Sequence, residues 1–218
     1  MMADVNTMRI LFVLSVVLLF PAVSAAETVV IQGGTVHPIH GEAQIGDVHI
    51  TDGVIKLVGA LRVPIPADAH IIDASGLQVY PGMIDAMSQL GLLEVGAVPA
   101  TDDQAEMGMY NPHLQAATAI HPSSELIPVA RANGITHTLV TPEADDGVIA
   151  GQAALVNLDG WTVEEMAIDP SIAMVIQWPE IVTRRFDFAT FSMKESAFKE
   201  AKEKAEEQQD ELRDWLEA

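Results

Sequence analysis

The sequence predicts an α/β protein in which a β-rich first part is followed by strands that alternate with helices. Two observations lead to this prediction. In residues 27–79, short apolar runs are separated by frequent turns, and after residue 91 runs rich in β-branched residues alternate with helical patterns. Short strands with frequent turns predict a small β-sandwich or roll. Strands that alternate with helices predict parallel βα units.

Four strands are predicted in the β-rich part. An Asp-Gly pair, Asp52-Gly53, separates two apolar runs, and this predicts a hairpin because Gly readily adopts a positive φ. The strands are Thr28–Ile31, which we expect to end at Gly33-Gly34, the hairpin pair Asp47–Ile50 and Val54–Val58, and His70–Asp73.

The second part, residues 80–218, holds the predicted helices. Leu126–Ala132 follows Ser and Glu residues and precedes Asn133-Gly134, a typical C-terminal helix signal. Thr162 is expected to cap a second helix. The predicted strands are Ile135–Val140, Gln152–Leu158 and Ala173–Gln177, and residues 94–111 are expected to form a long acidic loop.

A highly charged amphipathic helix is predicted over Met193–Ala218. Small and apolar residues recur there at helical spacing and form one stripe. The chain ends inside this pattern without a stop signal, so we expect a truncated reading frame or a fragment.

Composition and charge exclude several classes of function. The formal net charge is −20, so the surface lacks the basic excess that nucleic-acid binding requires, and we expect no such binding. The chain has no cysteine, which excludes disulfides, thiolate metal sites and cysteine nucleophiles. It also lacks the G-x-S-x-G, P-loop, H-E-x-x-H and EF-hand patterns.

Residues 1–26 are predicted to be a secretory signal peptide. Ile10–Val23 is an apolar run that is followed by Ser24-Ala25-Ala26. Such a run is typical of a cleaved leader and is short for a membrane span. We therefore expect a secreted or periplasmic protein with no stable membrane span after cleavage.

Three pieces of sequence, in order, carry a family resemblance: I-Q-G-G-T-V at 31–36, D-V-H-I-T-D-G-V-I-K-L-V-G at 47–59, and I-D-A-S-G-L-Q-V-Y-P-G-M-I-D at 72–85. Together they resemble the metal-dependent amidohydrolase superfamily, close to its secreted, imidazolonepropionase-like members. The similarity covers about residues 31–177. It implies a small β-sandwich followed by the first part of a (β/α)8 TIM-type barrel, whose first strand begins at P-G-M-I-D.

The resemblance also implies zinc, held by a His-x-His pair that follows the P-G-x-I-D motif. Met87 and Gln89 occupy those positions here. A thioether is a soft, weak ligand and an amide is neutral, so no metal ligand is predicted at either residue. If the strand continues that far, Met87 and Gln89 face one way and Ser88 the other.

No catalytic residue is carried over from the family. Pro81, Gly82 and Asp85 match its motif, and we expect structural roles for them. His113 and His121 each neighbour a proline and are candidates for substrate contact from loops. The acidic clusters Asp102-Asp103 and 143–146 could bind a divalent cation, although a solvated loop is the favoured interpretation.

Three hypotheses for function remain open. The first is a zinc-dependent hydrolase that acts on a carbon–nitrogen bond of a small amide or peptide-like substrate. The second is a non-catalytic relative or scaffold, and it includes an oligomer or a protein whose second half is supplied elsewhere. The third is a fragment without a function of its own. The substituted His-x-His positions favour a chain that is inactive alone.

Overall fold

The computed structural model describes residues 27–60, 63–144, 147–187 and 190–217. The chain divides into two compact units, the first ending at Pro81 and the second beginning at Gly82. The predicted signal peptide lies outside the described residues. Within these ranges, no helix combines the length and the apolar character that a membrane crossing requires.

The first unit contains a five-stranded sheet. Its strands are β1 (Thr28–Val36), β2 (Gln44–Thr51), β3 (Val54–Gly59), β4 (His70–Asp73) and β5 (Gln78–Val79). The order is β3-β2-β1-β4, and β5 also pairs with β1. The hairpin between β2 and β3 is confirmed, with positive φ at both turn residues, Asp52 and Gly53. The described residues show one sheet here, and the second layer of a sandwich stays a prediction.

Strand β1 runs past the pair of glycines that was expected to end it. The β1–β2 register shifts between Ile31 and Gly34, and Gly33 N donates to Asp47 Oδ1 at 2.9 Å. A Cβ on Gly34 would lie 2.6 Å from Val79 Cγ2. The Gly-Gly pair therefore makes a bulge and a close approach within one strand.

The second unit contains a four-stranded sheet and two helices. In chain order they are β6 (Met83–Ser88), α1 (Leu126–Ala132), β7 (Ile135–Val140), β8 (Ile149–Asn157), α2 (Val163–Met166) and β9 (Ala167–Ile176). The strand order in the sheet is β6-β7-β8-β9. The C-terminal signal of α1 is confirmed, since Asn133 caps it and Gly134 has a φ of 88°.

Only part of this sheet has the parallel pairing that we expected. Strands β6 and β7 are parallel and α1 connects them, as a βα unit requires. The β7–β8 and β8–β9 pairs are antiparallel, so the prediction of parallel units is wrong there. The reason is the length of the connections. Residues 141–148 and 158–166 are too few for a parallel crossover, which takes a dozen residues or more.

The last helix begins later than predicted. Met193, the first residue of the predicted helix, lies in strand β11 (Ser192–Glu195), which pairs antiparallel with β10 (Arg184–Asp187). Helix α3 spans Phe198–Glu217. The first residues of the predicted helix, 193–195, are thus part of a β-hairpin, and the helix begins only at Phe198.

The core of the second unit lies between its sheet, α1 and the loop after β6. Its largest fully buried side chains include Leu92, Val140, Val156, Leu158 and Met166. Helix α3 packs separately, through Leu212, against Val148 and Ile149 at the start of β8.

Candidate functional site

The carboxyl ends of β6 and β7 lie side by side, which is where parallel α/β sheets commonly carry their ligand sites. Ser88 and Val140 are register partners at these ends. Beyond them, Thr141 N donates to Ser88 O at 2.9 Å, and Thr141 Oγ1 donates to the same oxygen at 3.3 Å. These bonds hold the residues that follow each strand close to those of the other.

A bulge near the end of β6 changes which residues share a face. Asp85 pairs with Thr138 and Ser88 pairs with Val140, so three steps along β6 correspond to two along β7. The extra residue places Asp85 and Ser88 on the same side. The strand ends at Ser88. The alternation that would place Met87 and Gln89 on one side and Ser88 on the other therefore does not extend to Gln89.

Between these strand ends and α1 lies a cavity of about 260 Å³, which we call the strand-end cavity. Ser88 Oγ and Thr138 Oγ1 are 2.7 Å apart and share a hydrogen bond, and Leu90 N donates to Ser88 Oγ at 3.3 Å. The polar lining residues are Asp85, Ser88, Gln89 and Thr138, and the apolar ones are Leu90, Leu93, Leu126, Ala130 and Ile135.

Gln89 reaches from the end of β6 to the end of β7. Its Nε2 donates a hydrogen bond to Oε1 of Glu143, which follows β7 by three residues. Glu143 N in turn donates to Gln104 O at 2.7 Å, so the loop after β6 also fixes Glu143. That loop, expected over residues 94–111, is irregular apart from isolated bridges and one 3-10 turn at Pro99–Thr101.

The residues at this site do not fit a zinc centre. Across the described parts of the chain, no three His, Asp or Glu side chains come together in an arrangement that could hold a metal ion. Met87 is 71% exposed and is not part of the cavity lining, whereas Gln89 is. Asp85 Oδ1 accepts a hydrogen bond from Met87 N at 3.3 Å. Met87 and Gln89 thus offer no imidazole nitrogen, and only Gln89 lines the cavity.

The two histidines singled out from the sequence do not line the strand-end cavity. His113 and His121 are both exposed in loops. His121 N donates to Gly91 O at 2.9 Å, so His121 has a backbone role in the loop after β6. Contact of either imidazole with substrate stays a prediction. A Cβ on Gly82 would lie 2.5 Å from Thr136 Oγ1, which gives Gly82 a packing role.

Ser88, Thr138 and Glu143 were not singled out individually as site residues from the sequence. Glu143 follows a predicted strand closely, and its position at the carboxyl end of a strand was the available signal. For Ser88 and Thr138 the sequence offered no signal, since their pairing depends on the β6 bulge.

Comparison with known proteins points to amidohydrolases. A stretch of 116 residues, 51% of this chain, is 28% identical to amidohydrolase tasK from Hapsidospora irregularis and covers 12% of that protein. The crystal structure of an amidohydrolase from Thermotoga maritima MSB8 matches 70% of this chain with a TM-score of 0.65 and 27% identity. The match covers 39% of that chain. No protein-family model matches. The two likenesses support an amidohydrolase relationship for a chain that matches well under half of either relative.

Proposed function

We propose that this chain is an amidohydrolase-type protein that binds a small amide or peptide-like compound at the ends of β6 and β7 without metal-dependent hydrolysis. The observation that carries the proposal is the hydrogen bond between Gln89 and Glu143. This bond joins the amide of Gln89, at a position where the family resemblance implies a metal-binding imidazole, to the carboxylate of Glu143 beyond the end of the adjacent strand.

The strand-end cavity suits a small ligand that contains an amide group. Its volume of about 260 Å³ lies just below the range of about 300–1,000 Å³ that drug-sized ligands occupy. Leu90, Leu93 and Leu126 supply apolar walls. Gln89 and the Asp85 carboxylate supply acceptors for an amide N–H, so the lining complements both parts of such a ligand.

A second candidate is a hydrolase of carbon–nitrogen bonds, which the names of both relatives favour. It requires metal ligands other than the described residues of this chain. A completed (β/α)8 barrel, an imidazolonepropionase-like substrate range and export to the periplasm or the exterior belong to both candidates, and they rest on the resemblance and on the leader-like run at Ile10–Val23.

Equilibrium binding of an N-acetyl amino-acid amide, followed by isothermal titration calorimetry, tests the proposal. A neutral hydrogen bond contributes about 0.5–1.5 kcal/mol, so we expect Gln89→Ala to weaken binding by about two- to twelvefold. The control is Gln115→Ala, which removes a Gln side chain that bonds to Gln152 and does not line the cavity. We expect the control to bind as the unaltered protein does.

The outcome that overturns the proposal is either no binding or equal weakening by the two substitutions. The ligand recovered after the titration is expected to be intact. Hydrolysis that stops on chelation would instead establish the second candidate.

A further inference from the structure

A second, larger cavity lies in the same unit and shares no lining residue with the strand-end cavity. It measures about 670 Å³, within the range of small-molecule sites. Helix α3 forms one wall, the β10–β11 hairpin another, and the segment after β9 a third. We call it the helix cavity.

Small side chains on α3 leave the room for this cavity. Ala201 and Ala205 are buried one helical turn apart and line it. The third wall is fixed by backbone acceptors, since Gln209 Nε2 donates to Pro179 O at 3.0 Å and Gln177 N donates to Val148 O at 2.8 Å. The cavity is therefore a feature of packed elements rather than of one loose loop.

The helix cavity lies in the basic region of a very acidic chain. Seven of the 11 Lys and Arg residues fall between positions 184 and 213. Arg185 and Lys194 are register partners in the hairpin and both line the cavity, as does Lys204 from α3. Lys194 is bound to Asp187, whereas no ion pair of Lys204 is found among the described residues.

Carboxylates of the lining balance these cations in part. Glu195 forms an ion pair with Arg184 at 2.8 Å, so Arg184 already balances the negative charge of Glu195. Glu180 and Glu200 also line the cavity, and neither takes part in an ion pair within the described residues. Trp178, 54% exposed, adds an aromatic surface beside Glu180. Beside Arg185 and the ion-paired Lys194 and Glu195, the lining thus presents an ammonium, two carboxylates and an apolar face to one space.

We propose that the helix cavity binds a zwitterionic ligand of dipeptide size with an apolar side chain. Lys204 receives the ligand's carboxylate, and Glu180 and Glu200 receive its ammonium group. Trp178 and the two alanines contact its apolar part. A lining that carries both signs, with Glu200 and Lys204 on α3 and Glu180 on the third wall, fits a molecule that carries both signs. A simple anion would instead be repelled by the two glutamates.

Isothermal titration of the full chain with leucyl-leucine tests this site. Two blocked forms, N-acetyl-leucyl-leucine and leucyl-leucine amide, each lack one charge, and we expect each to bind at least about tenfold more weakly, as charge-assisted hydrogen bonds imply. Lys204→Gln is expected to weaken the binding of leucyl-leucine by a similar factor and to leave the binding of leucyl-leucine amide, which lacks the carboxylate, unchanged. Glu180→Gln combined with Glu200→Gln is expected to weaken the binding of leucyl-leucine by a similar factor. It should leave the binding of N-acetyl-leucyl-leucine, which lacks the ammonium group, unchanged.

Lys202→Gln is the matched control, because Lys202 lies on the same helix, pairs with Glu206 at 3.4 Å and does not line the cavity. We expect it to leave the affinity for leucyl-leucine unchanged. Absence of leucyl-leucine binding, a blocked form that binds as tightly as leucyl-leucine, or equal weakening by Lys202→Gln and Lys204→Gln would each overturn the proposal. Because the two cavities have separate linings, failure here leaves the result of the Gln89→Ala experiment unaffected.

Discussion

Substitution of Gly82 by alanine is expected to destabilise the second unit through a clash with β7. A Cβ at position 82 would lie 2.5 Å from Thr136 Oγ1 and 3.0 Å from Thr136 Cβ. Thr136 cannot move away freely, since its Oγ1 donates to Met83 O at 3.3 Å and lies 2.8 Å from His137 Nδ1. Forcing an extra methyl group into such a contact costs about 1–3 kcal/mol.

Urea unfolding followed by circular dichroism measures this cost. Gly96→Ala is the control, because a Cβ there meets no atom within 4 Å and its φ is not positive, so we expect a change within about 0.5 kcal/mol. Thr136→Ala removes the nearest atoms of the clash, and in a double-mutant cycle it should recover about 0.5–2 kcal/mol of the Gly82→Ala loss. A Gly82→Ala protein as stable as the Gly96→Ala protein would refute the packing role of this glycine.

Two further predictions concern α3. Leu212→Ala should cost about 2–5 kcal/mol in urea unfolding, because Leu212 is fully buried against Val148, whereas the exposed Leu216→Ala should change stability by about 0.5 kcal/mol or less. Burial raises the pKa of Tyr110, and the charge of Glu211 raises it further. Glu211→Gln should therefore lower the pKa of Tyr110 in an ultraviolet titration, and an unchanged pKa would contradict this. Because the folded pKa is the higher one, the stability linked to Tyr110 is present below the ordinary tyrosine pKa of about 10 and is lost as the pH rises through the folded value.

Local patterns were sufficient to predict where most strands lie. The Asp52-Gly53 turn and the Asn133-Gly134 helix end depend on backbone conformations that few residues adopt easily, and the structure has positive φ at Asp52, Gly53 and Gly134. Strand direction was harder to predict, because a strand of given composition can pair either way. The short connection between β7 and β8 was the usable signal, since it cannot make a parallel crossover.

The sequence also identified the altered chemistry at positions 87 and 89, because donor type is a property of the side chain alone. It could not identify the partner of Gln89, which is supplied by a residue 54 positions later in the chain. Nor could it show that Asp85 and Ser88 share a side, because the extra residue in β6 is defined only by its pairing with β7. Long-range contacts of this kind depend on register, which single-sequence patterns leave undetermined.

Whether this chain lacks a zinc site is tested by the zinc content of the purified protein after equilibration with zinc and removal of the unbound metal. An amide and a thioether in place of two imidazoles should leave the chain without a stoichiometric site. We expect far less than one zinc per chain and no amide hydrolysis that is sensitive to chelation. One zinc per chain, together with hydrolysis that is lost on chelation and restored by zinc, would contradict this expectation.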